Sequence, residues 1–170
     1  PILGTSRNGI YKIQKNSNRA ARFYVSLNSL ENTINDIVDT KDFIWVATNG
    51  GVIRFNKRTG QSVTLTTTER LPHNKVRDLF VDSSGNLWIA TRSNGLYSIT
   101  SNEELKIEAR TELEFVAITQ DENGNLWAAT NGDGVFMFSK DSLFVFNGNS
   151  GLRSNYCYSI EADDKNHIWV

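Results

Sequence analysis

The sequence predicts an all-β fold, a β-propeller of about four blades with four antiparallel strands each, and three observations predict it. The four tryptophans, Trp45, Trp88, Trp127 and Trp169, are separated by 43, 39 and 42 positions, and a period of about 42 is the signature of one supersecondary unit repeated in series. Each tryptophan sits in the same short apolar run. A glycine-bearing turn and a second short strand follow each of the first three.

The tryptophan strand reads Phe43-Ile44-Trp45-Val46-Ala47-Thr48, Asn86-Leu87-Trp88-Ile89-Ala90-Thr91, Asn125-Leu126-Trp127-Ala128-Ala129-Thr130 and a shortened His167-Ile168-Trp169-Val170. Ile2-Leu3-Gly4-Thr5 is the same strand with isoleucine in the tryptophan slot. The turns are Ser6-Arg7-Asn8-Gly9, Asn49-Gly50-Gly51, Arg92-Ser93-Asn94-Gly95 and Asn131-Gly132-Asp133-Gly134, rich in the residues that accept positive φ at hairpins. The strands after them, Ile10 to Ile13, Val52 to Phe55, Leu96 to Ile99 and Val135 to Phe138, are β-branched and aromatic, as strands prefer.

Ahead of each tryptophan strand stands another apolar strand ending in aspartate and a tight turn: Ile34 to Asp39, Val76 to Asp82, Phe115 to Asp121 and Cys157 to Asp163. A weaker fourth strand is expected at Ala21 to Ser26, Ser62 to Thr67, Leu105 to Ala109 and Leu143 to Phe146. Four short strands per repeat make a blade. Counted from the tryptophan strand, the units run 1–43, 44–86, 87–125 and 126–167, with a further one starting at 168–170. Both faces of the tryptophan strand are apolar, which predicts burial on both sides. The tryptophans are thus expected to be core, with Gly4, Ala47, Ala90 and Ala129 leaving room for the bulk of a neighbouring blade.

Composition narrows function. Eighteen basic against nineteen acidic side chains give a net charge of −1, so no basic surplus exists to neutralise nucleic acid or dock on an acidic membrane. The apolar runs fall far short of the ~20 residues a membrane helix needs, so no direct membrane insertion is expected. A single cysteine, Cys157, excludes an intrachain disulfide framework; it occupies the slot of Ile34, Val76 and Phe115 and reads as a small core hydrophobe. The opening residues lack a starting Met, a basic n-region and an apolar h-region, so the chain is expected to be a piece of a longer one.

The run Asp-x-x-Gly-Asn-Leu-Trp followed by Ala-Thr and a glycine turn, together with Leu71-Pro72-His73-Asn74-Lys75-Val76 and Gly151-Leu152-Arg153-Ser154-Asn155, resembles the two-component regulator propeller repeat. The unit from Glu112 departs from it by lacking the Gly-Leu-x-x-Asn linker. Two other propeller patterns fit less well. A sialidase-type Asp box places aspartate five residues before tryptophan, whereas Asp82 and Asp121 stand six before theirs, and the Gly-His and Trp-Asp pairs of WD40 repeats do not occur. The resemblance implies a periplasmic sensing region of a bacterial hybrid histidine kinase, often of Bacteroidetes, and a larger, seven-bladed propeller of which these repeats are part. The remaining blades, or a second copy of the chain, are then expected partners.

In a propeller the turns after the tryptophan strand and the linkers into the first strand share a rim, where polar side chains contact ligand. The candidate rim residues are Arg7, Asn8, Asn49, Asn74, Arg92, Asn94, Asn131, Asp133, Arg153, Asn155 and Tyr156, with Asn32 and Lys75 beside them. Arginines pair with carboxylate or sulfate, and asparagines and a tyrosine ring suit hydroxyls and pyranose faces, so an oligosaccharide or other small ligand is expected. Asn-Gly turns also occur without any ligand, for their backbone alone.

No catalytic residue, metal site or cofactor is expected. There is no Gly-x-Ser-x-Gly elbow and no His-x-x-x-His or Cys-x-x-Cys pair. Asp121-Glu122-Asn123-Gly124-Asn125 faintly resembles a calcium loop, but its glycine precedes the third oxygen and turn capping is the simpler role. The alternative functions are a structural or protein-binding scaffold at the cell surface and a propeller lyase. The lyase would need a base, for which only His73 is well placed.

Overall fold

The computed structural model describes residues 1–13, 19–69, 71–100, 105–109 and 112–170. It is an all-β chain in two compact units, Pro1–Arg77 and Asp78–Val170. The first unit holds two sheets, β1-β2-β3 and β4-β5-β6-β7, with β1 (Ile2–Gly4), β2 (Ile10–Ile13), β3 (Ala20–Tyr24), β4 (Ile34–Asp39), β5 (Phe43–Thr48), β6 (Gly51–Asn56) and β7 (Ser62–Leu65). The division between units falls inside β8 (Val76–Val81). This strand joins β9 (Leu87–Thr91), β10 (Leu96–Ile99) and β11 (Leu105–Ala109) in a four-stranded sheet. The next sheet is β12 (Phe115–Gln120), β13 (Leu126–Thr130), β14 (Val135–Ser139) and β15 (Ser142–Phe146), and a hairpin of β16 (Glu161–Ala162) and β17 (Ile168–Trp169) follows. Each sheet is an antiparallel meander with strands in chain order, the form of a propeller blade.

Each of the complete blades opens on the strand before the tryptophan, so a unit counted from the tryptophan strand begins one strand into a sheet. The strand expected at Cys157 to Asp163 shrinks to β16, because the ladder pairs Glu161 with Trp169 and Ala162 with Ile168. In that register Ile160 stands opposite Val170, and residues 157–159 lie outside the ladder.

Packing between successive sheets follows the small-residue rule. A Cβ on Gly4 would stand 2.3 Å from Ile34 Cγ2, Ala90 clusters with Phe115, and Ala129 clusters with Cys157. Gly4 and Ala90 thus receive the first residue of the next sheet, and Ala129 receives a residue of the linker ahead of β16. Ile10, Val46, Ile53 and Phe55 fill the first interface; Leu96, Ile118, Leu126 and Ala128 fill the one between the third and fourth sheets. The exposed backbone of an opening strand is met from the sheet before it. Asn35 Nδ2 donates to the Val76 carbonyl at 2.6 Å, and Asp78 Oδ2 accepts from the Ile118 N–H at 2.7 Å, which satisfies groups that an edge strand would leave unpaired.

Trp45 is core as expected, and the other three tryptophans depart from that expectation. Trp45 is buried, Trp88 and Trp127 are half-buried, and Trp169 is 63 % exposed. Trp88 and Trp127 pack on interfaces between sheets, and Trp127 stacks on Phe146 with centroids 5.3 Å apart. Their indole N–H groups decide the placement, since a polar handle must reach a partner. Trp88, Trp127 and Trp169 each donate to the aspartate six residues before, at 2.8, 2.9 and 2.9 Å.

Candidate functional site

The glycine hairpins of both units share one repeated device that sequence reasoning missed. The threonine ending each tryptophan strand folds its hydroxyl back over the hairpin. Thr5, Thr48, Thr91 and Thr130 donate from Oγ1 to the carbonyls of Gly9, Gly51, Gly95 and Gly134 at 2.7–2.8 Å. The same oxygen accepts from Asn8 N in the first turn, Gly50 N in the second and Asp133 N in the fourth. Thr48, Thr91 and Thr130 are fully buried, so the hairpins are anchored from beneath. Gly134 shows why glycine closes the turn: its φ is +86°, and a Cβ would stand 2.1 Å from the Phe146 carbonyl. The recurrence of threonine before each turn was the available signal.

In the first unit, Arg7 and Asn8 are exposed on their turn, and no described residue holds the Arg7 side chain. Asn49 is half-buried; its Oδ1 accepts from Asn35 Nδ2 at 3.1 Å and its N–H donates to the Thr33 carbonyl. Asn74 Oδ1 accepts from Thr67 N at 2.8 Å, while Lys75 N donates to His73 Nδ1 at 2.9 Å. Asn32 is buried and clasps both backbone groups of Ser26 at 2.8 Å.

In the second unit, Asn155 closes the linker. Its Oδ1 accepts from Gly148 N at 2.8 Å, and its carbonyl accepts from Gly132 N and Gly134 N. Asn131 bridges to Tyr156 and donates from Nδ2 to Glu114 Oε2 at 2.9 Å. The Tyr156 ring, 61 % exposed, lies beside Gly132, where a Cβ would come within 3.5 Å of it. Arg92, Asp133 and Arg153 are exposed, and no described residue pairs with their side chains. Asn94, with φ +76°, supplies the turn before Gly95. The linker asparagines Asn32, Asn74 and Asn155 thus share a role, each spending its Oδ1 on a backbone N–H six or seven residues earlier. Exposed side chains are Arg7 and Asn8 in the first unit, and Arg92, Asn131, Asp133, Arg153 and the Tyr156 ring in the second.

The recurrent aspartates face the other ends of the sheets and are fully occupied. Asp121 Oδ1 accepts from Asn123 N and Asn125 N at 3.0 and 2.8 Å, and Oδ2 from Asn125 Nδ2 and Trp127 Nε1 at 3.0 and 2.9 Å. Asp82 repeats this with Ser84, Asn86 and Trp88, and Asp163 with Lys165, His167 and Trp169. Burial raises the pKa of Asp82 and Asp121, but the hydrogen bonds, with the indole N–H foremost, outweigh it and hold both below the ordinary carboxylate range. Asp163 is held well below it, chiefly by the Trp169 N–H. Four accepted hydrogen bonds use the lone pairs a metal ion would need. Among the described residues no three His, Cys, Asp or Glu side chains gather in a metal-binding group.

The first full repeat breaks the device. Asp39 instead pairs with Lys57, and the Arg54 guanidinium lies over the Phe43 and Trp45 rings at 5.0 and 5.6 Å. Cys157 is a buried core residue whose thiol pKa is raised by burial.

A model of the two-component regulator propeller matches residues 70–93 and 111–132. No curated protein matches the chain. The extracellular domain assigned to the hybrid two-component system BT4673 of B. thetaiotaomicron is 28 % identical with a TM-score of 0.82, over 99 % of this chain and 24 % of that one. The corresponding domain of BT3049 from the same organism is 26 % identical with a TM-score of 0.79, over 95 % and 24 %. Virginiamycin B lyase from Staphylococcus aureus, 20 % identical with a TM-score of 0.64 over 80 % of this chain and 47 % of that one, shares the fold alone. The chain spans about a quarter of the length of the two extracellular domains. No described helix is long and apolar enough to cross a membrane. Blade topology, the Asp-x-x-Gly-Asn-Leu-Trp turns and these likenesses agree: two stretches of the chain match the two-component regulator propeller, and the chain is similar to extracellular domains of hybrid two-component systems.

Proposed function

We propose that this chain is a non-catalytic, ligand-sensing segment of a two-component sensor. It recognises an oligosaccharide from the periplasmic side and passes the event to a downstream kinase. The observation that carries the reading is the likeness, over 99 % of the chain, to an extracellular domain assigned to a hybrid two-component system. The rim chemistry supports it. Exposed Arg92 and Arg153 have no described partner, so they offer bidentate donors to a carboxylate or sulfate, and the Tyr156 ring offers a flat apolar face for a pyranose. The threonine-anchored hairpin keeps Arg92 on a rigid support, which lowers the entropy lost on binding. Signalling then follows from unequal affinity of the ligand for two arrangements of the sensor. A lyase reading gains no support from His73, whose Nδ1 already accepts from Lys75 N.

The test is titration calorimetry of the complete sensor against acidic and neutral glycans. Saturable heat that Arg92→Ala or Arg153→Ala weakens about tenfold or more supports the reading. Silence across both classes overturns it.

A further inference from the structure

The first unit contains a cleft set apart from the glycine hairpins. Ile10 pairs with Tyr24 but Tyr11 pairs with Arg22, so Phe23 is an extra residue in β3, a bulge that re-aims a side chain. The bulge turns two consecutive rings toward the second sheet. Phe23 lies 5.3 Å and Tyr24 4.9 Å from Phe55, centroid to centroid. The third sheet bulges in the same place, between Leu96 and Tyr97, but the extra residue there is Glu108, so the ring is particular to the first sheet.

These rings line a cleft of about 700 Å³ between the first two sheets, a size typical of small-molecule sites. Phe23 remains 41 % exposed while Phe55 is buried, so the cleft has an aromatic wall with one ring free to take a ligand. Polar residues Lys12, Asp39, Asn56, Lys57 and Ser62 line it at the strand ends opposite the glycine hairpins. The Lys57 charge is met by Asp39. Lys12 is exposed and no described residue pairs with it, so one positive charge is left uncompensated beside the aromatic wall. An anion with a flat apolar body satisfies both features, the body against Phe23 and the charge at Lys12.

We propose that this cleft binds a small hydrophobic carboxylate, the ring stacking on Phe23 and the carboxylate pairing with Lys12. The site is separate from the hairpin rim and independent of the glycan reading.

The experiment uses the full chain and two probes, 4-phenylbutyrate and its neutral amide, followed by chemical-shift titration. The acid is expected to bind in the millimolar range and about threefold or more tighter than the amide, the size of an exposed ion pair. Lys12→Gln should erase that preference while leaving amide binding in place. Phe23→Ala should weaken both probes by roughly five- to tenfold, the worth of one aromatic contact. Phe23→Leu, which keeps apolar bulk and guards against misfolding, should weaken them less. Arg92→Ala should change neither probe, which separates failure here from failure at the rim. Equal affinity for acid and amide, undiminished binding by a folded Phe23→Ala variant, or no binding of the acid overturns the proposal.

Discussion

Replacing Asp121 by alanine tests the device that recurs through the chain. The carboxylate accepts four hydrogen bonds, two from backbone N–H groups and one each from the Asn125 amide and the Trp127 indole. A net hydrogen bond contributes about 0.5–1.5 kcal/mol, and up to about 3 when one partner is charged. Glu122 and Asn123 are exposed, so water replaces the lost acceptor for the turn and the cost falls mainly on the half-buried indole. The expected loss is about 2–3 kcal/mol, read as a lower midpoint in urea unfolding of the full chain near neutral pH. Asp121→Asn keeps an acceptor for the two backbone donors but turns an NH2 toward two others, and should lose about 1–2 kcal/mol. The pH dependence has a definite sign. A folded pKa lowered below the unfolded one contributes stability that is fully present above the unfolded value, about 3.9, and is lost as pH falls through the folded value. The deficit of Asp121→Ala should therefore shrink as the medium is acidified below about pH 4. A loss under about 0.5 kcal/mol at neutral pH, or a deficit that stays constant in acid, refutes the reasoning.

The first full repeat makes the opposite prediction: Asp39→Ala removes only an exposed ion pair with Lys57 and should change stability by less than about 0.5 kcal/mol in the same assay. Gly4→Ala puts a Cβ 2.3 Å from Ile34 Cγ2 and should cost about 1–3 kcal/mol of overpacking, whereas Gly4→Ala with Ile34→Val should recover part of it. Cys157, buried with a raised thiol pKa, should react with an aromatic disulfide reagent far more slowly in the folded chain than in denaturant; equal rates would refute its placement in the core. Arg92→Ala and Arg153→Ala, which remove exposed side chains, should leave the urea midpoint within about 0.5 kcal/mol of the parent.

The repeat and the β-strand character of its units were determined by the sequence alone. Strand alternation, glycine at positive φ and a recurring tryptophan are local properties, and they locate β5, β9 and β13 to within a residue. The exposed rim arginines were legible for the same reason, since a turn after a strand is a surface. Tertiary structure alone decided what each recurring polar residue does. Trp88 reads as core from its apolar neighbours, yet its half-exposed ring is placed by an indole N–H that must find Asp82. The linker asparagines read as ligand contacts, yet Asn74 and Asn155 spend their oxygens on loop backbone. Asn35 and Asp78 meet strands that follow some forty residues later, and no local pattern encodes that pairing. The bulge at Phe23 depends on the register of β2 against β3. A one-residue slip of that register moves a side chain from one face to the other, and it is fixed only when the whole sheet packs.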